Sequence, residues 1–364
     1  MAVRVVDLFS GCGGMSVGFE EAVRREGCSL EIPLAVDVDK DALEVYETNL
    51  PASTAESVDI ATLFDGLVGE KLTKVEKRLK ERIGLVDVLI GGPPCQGHSD
   101  LNNHTRRADP KNDLYLLMAR AAEVFAPKVV VIENVAQVTL DEAGVVEKTE
   151  VALLFAGYDV DGRVVDLRRV GVPQRRRRYL LLASKLVELD PASTLERIAK
   201  GMPEHPDRSV RWAIEDLVDT KSSDPRDVAS RTSEDNAKRI DYLFEQKLFD
   251  LPNEERPECH RDREHTYVSM YGRLKWDEPA QTITTGFGSM GQGRYVHPSR
   301  RRTITPHEAA RLQTFPDWFD FGDQPARGLL AKMIGNAVPP LLMATLGIEI
   351  VRALRKETAT RKSA

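Results

Sequence analysis

Cysteine is scarce: the 364-residue chain carries four, Cys12, Cys28, Cys95 and Cys259. Their wide spacing excludes a disulfide framework, and none forms the close pairs from which zinc sites are built, so no metal is expected. Long apolar runs are also missing. Those around Lys128 to Val131 and at Tyr179 to Ala183 are strand-sized, against the ~20 residues that a membrane span needs. No apolar stretch with a small-residue cleavage site precedes the strand-like Val3 to Leu8, and a cytoplasmic location away from membranes is expected. Excess positive charge is lacking too: 51 Lys and Arg face 57 Asp and Glu, a formal net charge of -6. That balance argues against nucleic acid as a partner, since most DNA-binding domains present a basic face, yet basic residues bunch at Arg168 to Arg178, Arg261 to Arg263 and Arg300 to Arg302. A basic groove on an acidic body fits this distribution. No internal repeat at solenoid or propeller spacing occurs.

What is present is 41% apolar content, enough for a large core in two or three domains. The first half alternates β-branched runs with helical patterns, the mark of a parallel sheet with crossover helices. Strands are predicted at Val3 to Leu8, Ile32 to Val36, Val86 to Ile90, Val129 to Glu133 and Tyr179 to Ala183. Helices are predicted near Met15 to Arg25, Asp41 to Asn49, Asn112 to Phe125 and Glu142 to Phe155, with a charged, solvated one at Glu70 to Arg82. From about Asp190 to Arg300 the pattern dissolves into Pro, Asp, Arg and Ser. It resumes at Thr303, and Leu341 to Leu354 reads as an amphipathic helix. The expected division is therefore a catalytic and cofactor-binding domain at 1–189, a smaller irregular target-recognition domain at 190–300, and a return segment at 301–364. The fold class is α/β, a doubly wound, mostly parallel, Rossmann-like sheet.

Two segments point to an adenosine-type ligand. Asp7-Leu-Phe-Ser-Gly-Cys-Gly-Gly-Met-Ser16 follows a strand and opens a helix, where glycines permit a tight turn and close ligand approach. Val36-Asp37-Val38-Asp39 ends the next strand, about where such sheets place a carboxylate for ribose hydroxyls. A third segment, Gly91-Gly-Pro-Pro-Cys-Gln-Gly-His-Ser99, lies at the carboxyl end of another strand. Two prolines restrict the backbone before Cys95, as an attacking group requires, and a thiolate both adds and leaves near neutral pH.

This third segment resembles the catalytic loop of the C5-cytosine DNA methyltransferase family. Other pieces follow in order: Glu133-Asn-Val135 resembles the family's acidic motif, and Gln174-Arg-Arg-Arg-Arg178 its Gln-x-Arg-x-Arg pattern. Arg302-Thr-Ile-Thr-Pro-His-Glu-Ala-Ala-Arg-Leu-Gln313 is similar to the motif after the recognition domain, and Gly335-Asn-Ala-Val338 to the final signature. The likeness runs from Asp7 to Pro340, with Asp190 to His265 poorly covered.

The resemblance implies methyl transfer from S-adenosylmethionine to carbon 5 of a cytosine swung out of double-stranded DNA. Cys95 is then the nucleophile toward carbon 6, and Glu133 the acid that steadies charge at N3. Arg176 and Arg178 orient Glu133 and the cytosine edge or a phosphate, while Arg175 and Arg177 face away. Water is the expected base for the carbon-5 proton. Phe9, Gly11 and Gly13 line the methionine end of the cofactor, Asp37 the ribose, and Val38, Asp59 and Ile60 the adenine. Pro94, Leu114, Asn336 and Val338 complete that pocket. Where the family often has an aromatic residue, Val38 implies weaker adenine stacking. Expected DNA contacts are Gln96, Ser99, Arg106, Thr282 and Arg302, with Gln96 to Pro110 as a polar lid and Gly286 to Gly293 as a flexible approach. His307 stands where arginine is common, which weakens the case for DNA contact there. The chain is expected to act as a monomer, functionally paired with a cognate restriction endonuclease.

Three other readings compete. A tRNA cytosine-5 methyltransferase shares the same pocket, cysteine and glutamate, but that branch tends to have Phe and Thr after Pro-Pro-Cys-Gln, where this chain has Gly97-His98-Ser99. A non-catalytic DNA-binding homologue would be expected to lose Cys95 or Glu133. A nicotinamide-dependent oxidoreductase leaves Cys95, Glu133 and the arginine run without a purpose.

Overall fold

The computed structural model describes residues 1–50, 53–94, 113–201, 208–220, 222, 224–261, 270–323 and 326–363. It separates into two compact units: one comprises 1–170, 177–205 and 338–364, the other 171–176 and 206–337.

The first unit is built on a seven-stranded sheet in the order β3-β2-β1-β4-β5-β8-β6. Its strands are β1 (Ala2–Leu8), β2 (Ser29–Asp37), β3 (Ser53–Ser57), β4 (Val88–Gly91), β5 (Val129–Val135), β6 (Asp159–Asp166) and β8 (Arg177–Ser184). The intervening β7 (Gln174–Arg175) belongs to the second unit. From β3 to β5 every pairing is parallel. Strand β8 then runs antiparallel to both β5 and β6, so the sheet is mixed at one side. Parallel strands need both faces covered, and β1, β4 and β5 are accordingly near-continuous runs of buried Val, Leu and Ile. The crossover helices are α1 (Gly14–Arg25), α2 (Lys40–Asn49), α3 (Lys74–Ile83), α4 (Asp113–Phe125) and α5 (Val145–Phe155), followed by α6 (Pro191–Lys200).

Helix α3 is less solvated than its charge suggests. Thr73 and Glu76 form a capping box at its start, and Glu76 is buried in an ion pair with Arg120 of α4 at 2.6 Å. The last helix, α11 (Pro340–Ser363), packs along α1. A methyl group at Gly18 of α1 would collide with the carbonyl oxygen of Pro340, and one at Gly347 would press on Ala22 and Phe19. Only glycine lets these two helices come so close. The segment Arg327–Thr360 is apolar enough by length and composition to cross a membrane, but 67% of its most apolar window is buried, as in a core helix.

The second unit has little regular structure. It holds β7 paired in parallel with β9 (Ala280–Gln281), and the helices α7 (Val210–Ile214), α8 (Glu234–Glu245), α9 (Pro306–Leu312) and α10 (Arg327–Asn336). A small core forms around Ile240, Leu243, Leu251, Tyr271, Met290 and Val296. The chain rejoins the first unit at Val338, not near residue 301, because Thr303 to Ala337 packs within the second unit.

Candidate functional site

The order of strands places a topological switch point between β1 and β4, and ligands of such sheets bind beyond the carboxyl ends of the strands there. Register aligns those ends: Leu8 pairs with Val36 and Gly91, Asp37 with Ser57, and Gly91 with Ile132.

After β1 the chain turns sharply. Phe9, Gly11 and Gly13 have φ of 58°, 52° and 95°, in the left-handed region. Asp37 fastens this turn: one carboxylate oxygen accepts from Gly11 N at 2.8 Å, and the other from Asp39 N at 2.9 Å. Behind it lies a buried polar cluster that the motif did not single out. Ser16 Oγ donates to Asp7 Oδ2 at 2.6 Å, and Tyr46 Oη donates to Ser16 Oγ at 2.8 Å. Burial pushes the Asp7 carboxyl up to about 7, helped by the charge of Asp37 and opposed by the bond from Ser16. Burial likewise raises the Cys12 thiol to about 12.

Two buried polar atoms at this turn, Asp7 Oδ1 and Ser10 Oγ, have no hydrogen-bond partner. Buried polar atoms left unpaired are costly, and they suit a ligand with ammonium and carboxylate groups. Val38, 72% exposed beside Asp37, offers a small apolar surface. Asp59 is exposed and caps the short turn Ile60–Thr62 by accepting from Ala61 N at 3.0 Å, with Ile60 buried beneath it. These residues fit an adenosine-bearing ligand carrying an amino-acid tail.

The second cluster gathers at β4 and β5. Glu133 is 7% exposed, and the Nε of Arg178 lies 2.8 Å from its Oε1. The contact is an ion pair without hydrogen-bond alignment, because Glu133 Oε1 accepts no hydrogen bond. Arg178 reaches it from β8, where it stands opposite Val135, a diagonal neighbour on the same face. A methyl group at Gly92 would lie 3.7 Å from Glu133 Oε2 and 3.8 Å from Val338 Cγ2, so these three residues adjoin. Asn134 donates from Nδ2 to the carbonyl of Pro93 at 3.3 Å, tying β5 to the Gly-Gly-Pro-Pro segment. Pro94 and Leu114 are half-buried in this unit. Cys95, Gln96, Ser99 and Arg106, and the expected lid Gln96 to Pro110, lie outside the described residues.

The arginine run straddles the two units. Arg178 enters the large sheet, whereas Arg176 lies in the second unit, where its Nη1 and Nη2 donate to the carbonyls of Ile283 and Ala337, each at 3.0 Å. Alternation along one strand is thus broken, and Arg175 pairs with Glu278 at 2.8 Å. Asn336 closes α10 in the second unit. Thr282 donates from Oγ1 to the carbonyl of Arg175 at 2.9 Å. Arg302 places both Nη atoms 2.7 Å from the carboxylate of Glu308, which also caps α9 with Thr305. His307 is held by Asp227 at 2.7 Å. No cluster of His, Cys, Asp and Glu able to hold a metal occurs among the described residues.

The family model described as C-5 cytosine-specific DNA methylase matches residues 3–352. The type II methyltransferase M1.BsuMI of Bacillus subtilis is 46% identical over 351 residues, covering 96% of this chain and 81% of that protein. The type II methyltransferase M.XorII of Xanthomonas oryzae is 30% identical over 380 residues, covering 97% and 85%. Among solved structures, the Dnmt2 methyltransferase of S. pombe superposes with a TM-score of 0.64 over 99% of both chains at 18% identity, a likeness of fold.

Proposed function

Since the chain belongs to the C-5 cytosine-specific DNA methylase family, we propose that it methylates carbon 5 of a cytosine in duplex DNA through a covalent Cys95 adduct. One observation carries this reading: a buried glutamate with an unbonded oxygen, paired with Arg178, adjoins Gly92 three residues before that cysteine. Carbon 5 of cytosine is a poor nucleophile. Addition of the Cys95 thiolate at carbon 6 moves electron density to N3 and carbon 5, and Glu133 donates a proton toward N3 as that charge develops. Bound S-adenosylmethionine supplies an electrophilic sulfonium methyl to carbon 5. Loss of the carbon-5 proton to water then lets the sulfur leave as thiolate, and return of the N3 proton to Glu133 restores the ring. Arg178 keeps the Glu133 carboxyl in place by its charge.

The cofactor is held by the turn Phe9 to Gly13, with Asp7 and Ser10 facing its amino-acid end and Asp37 accepting from ribose hydroxyls in addition to Gly11 N. Val38, Asp59 and Ile60 receive the adenine, and Pro94, Leu114, Asn336 and Val338 complete the pocket. The second unit reads the DNA, with Thr282 among its contacts, and Gln96, Ser99 and Arg106 of the first unit are further DNA contacts in this reading. The target base must leave the stack to meet thiol and sulfonium together. Because Arg302 is already committed to Glu308, phosphate contacts are sought in other basic residues. The type II names of the relatives support a partnership with a sequence-specific endonuclease.

The test incubates the full chain with methyl-labelled S-adenosylmethionine and mixed duplex DNA, then maps 5-methylcytosine by sequencing. Label at one short duplex sequence is expected. Preferential labelling of tRNA would overturn the DNA reading. Cys95→Ala is expected to abolish both transfer and trapping on 5-fluorocytosine DNA, and trapping that survives removes Cys95 from the chemistry.

A further inference from the structure

A buried polar hub in the second unit ties together segments far apart in sequence. Gln174 accepts from Ile283 N at 2.9 Å and donates to Leu312 O at 2.6 Å and to Gln313 Oε1 at 2.8 Å. Gln313 in turn donates to Ile334 O at 2.5 Å. Arg176 spans the remaining gap, from Ile283 O to Ala337 O. Gly335 packs its backbone directly on Thr284 and Thr285, where any Cβ would collide with the main chain. Gln174, Arg176 and Gln313 are each at most 2% exposed.

Both tethered segments lead to functional ground. Ala337 is followed by Val338, the residue that adjoins Gly92 near Glu133. Ile283 is followed by the turn Thr284 to Gly293, in which Thr285 and Gln292 are exposed. Two backbone segments clamped by buried hydrogen bonds cannot shift separately without leaving carbonyls unpaired, which is costly for buried groups. A displacement at one is therefore passed to the other.

We infer that Arg176 is a positioning residue which couples the segment Ile334 to Val338 to the segment Thr282 to Thr285, so that cofactor occupancy is felt by the part of the second unit that meets DNA. The coupling rests on the cofactor and DNA reading above. Arg176 and Arg178, neighbours in one motif, then divide the work: Arg178 holds the acid, and Arg176 holds the frame.

Hydrogen exchange of the unaltered full chain with and without S-adenosylhomocysteine tests this. Peptides covering 8–14 and 334–338 are expected to slow, and so is 280–285, by about five-fold, the lower end of ordinary coupling between sites. In Arg176→Gln the slowing at 280–285 is expected to vanish while that at 8–14 persists. The KM values for cofactor and DNA rise by about ten-fold with kcat within about three-fold, and Arg176→Lys restores part of the coupling. Slowing at 8–14 with none at 280–285 in the unaltered chain overturns the coupling, and that arm needs no variant to fold. A kcat collapse in Arg176→Gln at unchanged KM overturns it as well. Absence of slowing at 8–14 strikes instead at the cofactor reading beneath it.

Discussion

The two units solve the problem of buried backbone polarity in opposite ways. In the first, strands pair with strands: the parallel ladder from β3 to β5 satisfies main-chain groups regardless of side-chain identity, leaving side chains free to be aliphatic. In the second, the longest strand among the described residues has two residues, and buried side chains take over, with Gln174, Arg176 and Gln313 bonding directly to carbonyls and amides. His297 does the same, its Nδ1 accepting from the amides of Ser299 and Arg300. The lesson is one of tolerance. A ladder survives most single substitutions, whereas a hub of side chains fails at each member.

The sharpest way to break this comparison is at the carboxyl group of the first unit that is proposed to do chemistry. Glu133→Gln is expected to lower kcat by about 10²–10⁴-fold, the usual weight of a general acid, with cofactor affinity little changed. Near-normal turnover in steady-state assays would remove Glu133 from the mechanism.

Next in size is the pH response, which the two units should show with opposite sign. Asp7 has its folded value raised from 3.8 to about 7. Its contribution to stability is fully present below 3.8 and is lost as the pH rises through about 7, to a ceiling of about 4 kcal/mol. His297 is depressed from 6.5 to about 4, by burial foremost, although Glu308 opposes the shift; Arg302 and Arg300 add to it. Its contribution is present above 6.5 and is lost as the pH falls through about 4. Calorimetry from pH 5 to 8 should therefore find Asp7→Asn flatter than the unaltered protein toward alkali. Parallel curves would mean that Asp7 is solvated in the folded protein.

Gln174→Leu keeps size but strips three buried hydrogen bonds from the hub. A loss of about 2–4 kcal/mol in denaturant unfolding is expected, given about 1–3 kcal/mol for each buried group left unpaired. If the loss is under about 0.5 kcal/mol, the range of an ordinary surface substitution, the hub does not hold the second unit together.

The smallest effect is expected for Arg302→Lys, about 1 kcal/mol of stability from losing the two-pronged contact with Glu308. In Arg302→Gln, which removes the charge as well, the salt dependence of DNA affinity should not change. A slope shallower by about one unit would instead make Arg302 a phosphate contact.

These contrasts explain what could be read in the sequence. Strands β1, β4 and β5 announce themselves because strands covered on both faces are continuous aliphatic runs. Strand β3, Ser-Thr-Ala-Glu-Ser, is an edge strand with little to bury, and β6, Asp-Val-Asp-Gly-Arg-Val-Val-Asp, lies at the other edge with charges along it. Neither carries the apolar pattern that marks a strand. The antiparallel entry of β8 is invisible in a pattern that reports burial and not direction. The turn at Phe9 to Gly13 was legible, since only certain residues tolerate that backbone, but its hydrogen bond to Asp37 was not, because it joins the ends of two strands. The cluster of Asp7, Ser16 and Tyr46 was not, because its members come from three separate elements. Glu76 read as solvent-facing for the same reason: its partner, Arg120, lies 44 residues away. The Gln-x-Arg-x-Arg spacing singled out Arg176 and Arg178 together. Their partners, a carboxylate for one and main-chain carbonyls for the other, depend on segments more than forty residues distant.

The close seating of Gly18 against Pro340 has a consequence for synthesis. Helix α1, once it has left the ribosome, presents a surface whose cover is encoded more than three hundred residues later. Until α11 has followed, the nascent sheet carries an uncapped apolar flank, an invitation to chaperones and to self-association. Truncation just before Pro340 would then yield a chain that keeps Glu133, Arg178 and Val338 and has no means of sealing the layer on which they stand.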